Sequence, residues 1–378
     1  MKLAIISHTE HYTADDGRIV GWGPTVTELN HLLEVFEEIW HVAMWHDGSA
    51  PKSALPYEPY KIHFVPIPTV GGYGLGAKLS ILWQAPKTLA IIRQTLKQVD
   101  CFQFRAPTGI GVYVLPFLSW YRQKPGWFKY AGNWNQDKPP LGYRWQRWWL
   151  KQQTRTVTVN GHWPKQPKHC LSFENPCLTQ EELKEGLLWS GNRSIPRRWT
   201  FCYVGRIEDA KGVGRILEAL KTLEPNYRSR IACVHLVGEG KSLDAYRLQA
   251  NDCEIPILFH GALSRKEVFG IYKESDVFLM PTTASEGFPK VIAEAMNFGC
   301  IPMVSQVSAI TQYVEDQKHG WILENVEMAS LHSALKDMMS LSSETYLDYV
   351  SECHEQVGPF SFKYYNDRIR SISAGFIK

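Results

Sequence analysis

The chain has 378 residues, 44% of them hydrophobic, and a net charge of +3. Its length and apolar content suffice for two domains with full cores. No apolar run is long enough to span a bilayer, and the opening MKLAIISH turns polar too soon for a signal peptide. The eight cysteines are scattered singly, without a CxxC pair or Cys/His metal spacing, which argues against a disulfide framework and for reduced, buried thiols in a cytosol. Charge is uneven along the chain. Residues 1–172 carry 19 Lys/Arg against 11 Asp/Glu, and the remainder 22 against 27. A basic half joined to an acidic one suggests that the first meets something anionic, such as a membrane surface or a phosphate-bearing acceptor.

Short apolar runs alternate with amphipathic stretches, which predicts an α/β protein with parallel sheets. Strands are expected over 3–7, 40–45, 63–67, 101–104 and 156–159, with helices such as 25–36 and 86–98 between them. The turn Gly21-Trp22-Gly23-Pro24-Thr25 opens the first helix. It reads either as a capped turn with Thr25 at the helix entrance or as backbone amides offered to a phosphate. GGYGLGA at 71–77 matches a loose dinucleotide fingerprint through Gly72, Gly74 and Ala77. It follows Pro66 and Pro68 rather than the first strand of a βαβ unit, so a flexible loop on the acceptor side is expected instead.

Residues 119–155 hold eight Lys/Arg, one acid and six of the fourteen tryptophans. Helical rotation places Trp145, Trp148 and Trp149 on one face and Arg144, Arg147 and Lys151 on the next. Two readings stay open: a helix lying at an anionic lipid headgroup layer or facing the acceptor, and an ordinary helix with its tryptophans turned to the sheet. Nucleic acid is not expected, because no basic stripe continues into a recognised module.

Residues 174–198 read as an irregular hinge. The expected domains are therefore 1–172 and 173–357, with a helix over 358–378 that packs back on the first. Further strands are expected over 200–204, 232–237, 257–259, 277–280 and 301–304. Directly after the strand FCYV comes Gly205-Arg206 through Lys211-Gly212, a cationic loop between strand and helix. Such a loop at the carboxyl edge of a sheet suits a phosphate: Arg can fork onto two oxygens and Lys adds a point charge. Gly238-Glu239-Gly240 permits a tight turn at the same edge.

The most telling stretch is SEGFPKVIAEAMNFGCIPMVS at 285–305. It sets Glu286 before a helix start and Glu294 inside the helix, with Gly287, Phe288 and Pro289 turning into it. Free amides and a partial positive charge at the helix start suit a phosphate, and Pro289 fits the first helical position. Carboxylates there would repel a phosphate, so their use is to accept hydrogen bonds from sugar hydroxyls. The combination points to a nucleotide sugar, with one acid on each of its two sugars. Glu294 lies among apolar residues, so its burial requires partners, which a ribose diol would provide.

Together VGRIEDAKGVGRILEAL, VHLVGEG, the stretch from FHGALSRKEVF to GCIPMVS, and HGWIL resemble the family-4 retaining glycosyltransferases of the GT-B fold. The resemblance covers about half the chain and implies two Rossmann-like domains facing across a cleft. It implies that Arg206 and Lys211 hold the diphosphate as it leaves, and that Gly205 and Gly238 line the donor. Glu286 would bind the transferred hexose and Glu294 the ribose, while amides around Phe288, Lys290 and Val291 meet the phosphates. The base would sit near residues 260–263. It further implies transfer to a hydroxyl of a glycan or lipid-linked acceptor in surface polysaccharide or glycolipid synthesis, on the cytosolic face of a membrane. No cofactor is expected and no metal, since no DxD sequence is present. Alternatives are a GT-B epimerase or phosphorylase, or a non-catalytic sugar-nucleotide-binding subunit. Two departures stand out. The family often has a glycine pair where this chain reads Gln306-Val307-Ser308-Ala309, and it often has a histidine where this chain reads YAGNWNQD. Arg105 and Asn133, with Gly21 and Gly23, are the remaining candidates on the first domain's side.

Overall fold

The computed structural model describes all residues except Lys52, Pro59, Tyr73, Ile377 and Lys378, and the side chains of all of these but Leu75, Ala77 and Lys78. The chain divides into two units, Met1–Glu174 with Phe362–Lys378, and Asn175–Ser361. The divisions fall at 174/175 and 361/362, not at 172/173 and 357/358.

The first unit contains β1 (Lys2–Thr13), β2 (Ile19–Trp22), β3 (Glu38–Trp45), β4 (Ala54–Pro56), β5 (Ile62–Ile67), β6 (Cys101–Ala106), β7 (Gly126–Tyr130), β8 (Val157–Asn160) and β9 (Cys170–Phe173). Its helices are α1 (Gly23–Leu32), α2 (Leu75–Trp83), α3 (Ala85–Leu96), α4 (Gly111–Trp120) and α5 (Leu141–Lys151). The parallel strands run in the order β5-β3-β1-β6-β7-β8-β9, with β2 and β4 antiparallel at one side. Alternation along β1 explains the layers. Leu3 and Ile5 pack with Leu29 and Leu32 of α1, whereas Ala4 and Ile6 pack with Ile92 of α3 and Val114 of α4.

The last helix, α14 (Phe362–Ala374), belongs to this first unit. It places Tyr365 and Ile369 in the cluster of Leu3 and Ile5. The aromatic and apolar residues of FSFKYYNDRIRSIS therefore meet α1 at helical spacing.

The second unit has α6 (Gln180–Ser190), β10 (Trp199–Val204), α7 (Val213–Thr222), α8 (Pro225–Arg228), β11 (Ile231–Val237), α9 (Leu243–Ala250), β12 (Ile257–Gly261), α10 (Arg265–Glu274), β13 (Val277–Met280), α11 (Lys290–Asn297), β14 (Ile301–Ser305), β15 (Trp321–Leu323), α12 (Met328–Met339) and α13 (Ser343–Glu355). All six strands are parallel, in the order β12-β11-β10-β13-β14-β15. The chain thus winds outward from β10, returns, and winds the other way from β13. The gap between these two strands is the topological switch point, where open α/β sheets take ligands at their carboxyl edges.

Four expectations about local structure need correction. Residues 174–198 are not irregular throughout, because Thr179 and Glu182 form a reciprocal capping box that starts α6. The first helix starts at Gly23, with Trp22 as N-cap, so Thr25 lies inside its first turn. β1 runs on to Thr13 because β2 pairs with its second half through His11↔Gly21. A Cβ on Gly21 would lie 2.3 Å from the His11 ring, so Gly21 serves that close approach and sits in a strand, not in an amide-presenting turn. The 71–77 stretch is a loop only at its start, since α2 begins at Leu75. Tyr73 and the Ala77 side chain of that motif lie outside the described residues.

Candidate functional site

Loops from five strand ends gather at the carboxyl edge of the second unit's sheet. After β10, the Gly205 amide donates to the Val237 carbonyl and the Ile207 amide to the Glu239 carbonyl, so the cationic loop is laced to the loop after β11. A Cβ on Gly238 would lie 1.8 Å from the Gly205 carbonyl oxygen, a contact that only glycine permits. The Tyr203 hydroxyl supports the loop from below by donating to the Arg206 carbonyl at 2.7 Å. Thr282 Oγ1 and the Thr283 amide, following β13, donate to the Ala210 carbonyl at 2.9 and 2.8 Å. The two loops that flank the switch point are in this way fastened to each other.

Lys211 and Glu286 meet there. The Lys211 ammonium donates to Glu286 Oε1, its side chain nearly buried while that of Glu286 is part exposed. Arg206 does not join them: its side chain is 68% exposed and pairs with Glu208 at 3.1 Å. Glu286 is held from its main chain, because its amide donates to Ser308 Oγ at 2.9 Å. Ser308 has φ 58°, in the left-handed region, at the place where the family often has a glycine pair. A serine in this conformation is strained by roughly 1 kcal/mol, and it supplies a hydroxyl that glycine lacks.

Pro289 is the N-cap of α11 with ψ 116°, not its first helical residue as expected, and Lys290 begins the helix. The Phe288 side chain turns away into the core, 4.7 Å from Phe360 and 4.9 Å from Tyr313 by ring centroids. Only its backbone is placed to meet a ligand. Gly287 and Val291 flank the same helix start.

Glu294 is 8% exposed, and its charge has a protein partner that was not expected. Arg265 Nη1, at the start of α10, donates to Glu294 Oε1 at 2.7 Å. Neither Ser308 nor Arg265 was singled out from the sequence, since they reach across 22 and 29 residues.

Candidates in the first unit fare differently. Arg105 is buried and committed, donating to Gln103 Oε1 and to Glu28 Oε1, each at 2.9 Å. The same Glu28 oxygen accepts from Lys129 at 2.6 Å and from the Tyr365 hydroxyl at 2.9 Å. Arg105 therefore belongs to an internal charge cluster and is not an open ligand contact. Gly23 begins α1, where a Cβ would meet the Ser53 carbonyl at 2.6 Å. Asn133 Oδ1 accepts from the Asn135 amide, a local turn. Sequence reasoning also missed His8, midway along β1 and just beyond its pairing with β6, where this unit's own winding reverses. Its Nε2 is buried without a partner among the described residues, and burial lowers its pKa.

Helix α5 divides the two readings of its face. Trp149 packs inward against the core and donates to Ser119 Oγ at 2.9 Å. Arg147 is spent on the Trp134 and Gln136 carbonyls at 2.7 and 3.1 Å, so it is not available to a headgroup. Trp148 is 55% exposed, Trp145 is half-buried, and Arg144 and Lys151 are exposed. The neighbouring Trp120 is 73% exposed.

Residues 190–353 match the model of the family described as Glycosyl transferases group 1. Across nearly the whole chain the fold is GT-B. Anabaena HepE, crystallised with UDP-glucose, superposes with a TM-score of 0.70 at 14% identity, covering 99% of this chain and 100% of that one. Among curated relatives, the WcaL glycosyltransferase of Salmonella typhimurium, named for colanic acid biosynthesis, is 28% identical over 163 residues. That alignment takes in 41% of this chain and 39% of WcaL. The Escherichia coli UDP-Gal:alpha-D-GlcNAc-diphosphoundecaprenol alpha-1,3-galactosyltransferase is also 28% identical over 163 residues, 42% of this chain and 40% of the relative. The matched segment spans about two fifths of these relatives' length.

Proposed function

We propose that this chain is a glycosyltransferase that moves a hexose from a UDP- or GDP-sugar to a hydroxyl of a glycan or lipid-linked acceptor, in surface polysaccharide or glycolipid synthesis. The observation that carries the reading is the meeting of Lys211 and Glu286 at the switch point of the second unit, in front of the start of α11. A cation and a sugar-hydroxyl acceptor held side by side suit the junction of a diphosphate and its sugar. Lys211, Arg206 and the first amides of α11 supply the positive charge that stabilises the departing diphosphate, the work a metal does elsewhere. The proposal therefore includes metal-independent transfer. Glu286 orients the hexose and Glu294 the ribose.

The family resemblance favours retention, by same-face attack in which the leaving phosphate oxygen takes the acceptor's proton. The acceptor belongs to the first unit, at the reversal beside β1 and β6 where His8 Nε2 lies. The reading also places the protein at the cytosolic face of a membrane, through Trp148, Arg144 and Lys151. Among the described residues no helix is long and apolar enough to cross a membrane. Thermal shift with UDP- and GDP-sugars identifies the donor, and NMR of the product reports the anomeric centre. A sharp response to one donor, retention, and activity in EDTA are expected. Inversion, or activity abolished by EDTA, would sink the mechanism.

A further inference from the structure

All three nitrogens of the Arg265 guanidinium are engaged. Nε and Nη2 fork onto the two Glu182 oxygens at 2.8 and 2.9 Å, Nη1 reaches Glu294 Oε1 at 2.7 Å, and Nη2 also donates to the Cys177 carbonyl. Its plane lies over the Phe269 ring, 4.4 Å from the centroid. Such a planar fork cannot be reproduced by an ammonium. Cys177 reaches in turn to the first residue of α11, its Sγ lying 3.7 Å from the Lys290 carbonyl. Burial works against the Arg265 charge, and the Glu182 and Glu294 carboxylates more than offset it.

The consequence for Glu294 is geometric. Oε1 is taken by Arg265, and Oε2 has no partner among the described residues. A nearly buried carboxylate with one oxygen fixed and the other open is oriented to accept from a ligand hydroxyl. The fixing charge is itself anchored by Glu182, three residues into the capped start of α6.

We infer that Arg265, anchored by Glu182, is a positioning residue that aims Glu294 Oε2 at the ribose hydroxyls of the donor nucleotide. The inference rests on the proposed use of a nucleotide sugar by the same site. Arg265 touches no reacting atom. Its loss leaves Glu294 buried, without its counter-charge and free to rotate, so recognition of the ribose diol fails while the chemistry at the hexose is spared.

The test is calorimetric binding of UDP or GDP, whichever the unmodified protein takes, against the 2′-deoxy form of the same nucleotide. The unmodified protein should prefer the ribonucleotide by tenfold or more, about 1.4 kcal/mol. E294Q, R265A and R265K should each reduce that preference to within about twofold, and E182Q should reduce it partially. Gln at 182 keeps the helix cap, and R265K keeps the charge, so a folding defect in R265A does not remove the test. In turnover assays R265K should raise the donor KM about tenfold and leave kcat within threefold. If R265A and R265K keep the full ribose preference while E294Q loses it, the positioning role is overturned. If E294Q itself keeps the preference, the assignment of Glu294 to the ribose fails instead.

Discussion

Lys211 is almost enclosed and Arg206 almost free, yet both are assigned to one diphosphate. Their consequences should differ accordingly. R206A removes one charge-assisted contact, worth roughly 1.5–3 kcal/mol, so kcat should fall about tenfold to 150-fold without loss of stability. K211A also leaves Glu286 without its cation, so its kcat loss should be larger and Glu286 should bind sugar poorly. Steady-state kinetics with the identified donor checks both. At Ser308 the strained conformation and the hydroxyl separate cleanly. S308G relieves the backbone and S308A does not, but both lose the bond to the Glu286 amide. Both variants should raise the donor KM severalfold, with S308G the more stable in a thermal melt. Activity unchanged in both would mean that Glu286 is held by its pairing with Lys211 alone.

Five of the six strands of the second unit were legible as apolar runs, because parallel strands are buried on both faces, whereas the three-residue β15 was not anticipated. β7 was not: GWFKY carries Lys129, whose burial makes sense only beside Glu28, some 101 residues away. Helix α6 was overlooked although Thr179-x-x-Glu182 signals it, because residues 174–198 were read whole as a hinge. Arg105 was misjudged for the same reason as β7, its partner Glu28 lying 77 residues off. This cluster ties α1, β6, β7 and α14 together. E28Q leaves Arg105 and Lys129 buried without their carboxylate and should destabilise the first unit by about 3–5 kcal/mol in urea unfolding.

Helix α5 carries a separate expectation, for it offers tryptophan and cation outward only at Trp148, Arg144 and Lys151. Flotation with anionic liposomes should retain the protein. W148A with R144A should release it, whereas W149A should mainly cost stability.

At the scale of the molecule, buried groups in the two units respond to acid in opposite directions. In the first, Ser7 Oγ meets His41 Nε2 at 2.7 Å, and Tyr57 Oη joins His41 Nδ1 to His11 Nε2, each at 2.6 Å. Burial lowers the His11 pKa to about 4 and also depresses His41. Unfolding releases these rings to the ordinary value near 6.5, so the unfolded chain binds more protons and stability is lost as pH falls below that value. For His11 alone the loss by pH 4 is about 3 kcal/mol. In the second unit, burial raises Asp276 to about 6, against the pull of the Thr200 amide and Arg193. At this group the folded form binds more protons, so the Asp276 contribution is greatest below pH 4 and is lost as pH rises through 6, while His235 and His319 of the same unit, lowered by burial, act in the opposite sense. Hydrogen exchange at pH 5 and pH 7, corrected for intrinsic rates, should show the first unit loosening in acid. D276N removes the Asp276 contribution, so it should shift the second unit's response towards loss of protection in acid and leave the first unit's unchanged.

The first unit is assembled from two stretches of chain, with Tyr365 and Ile369 completing the layer over Leu3 and Ile5. A ribosome delivers them in the order of the sequence. Residues 1–174 must wait, with that apolar face uncovered, while all of 175–361 is made. The second unit is continuous and can close during that interval. Residues 1–174 are therefore made before the second unit yet finished after it, and they are the stretch most in need of a chaperone until Phe362–Ala374 leaves the exit tunnel.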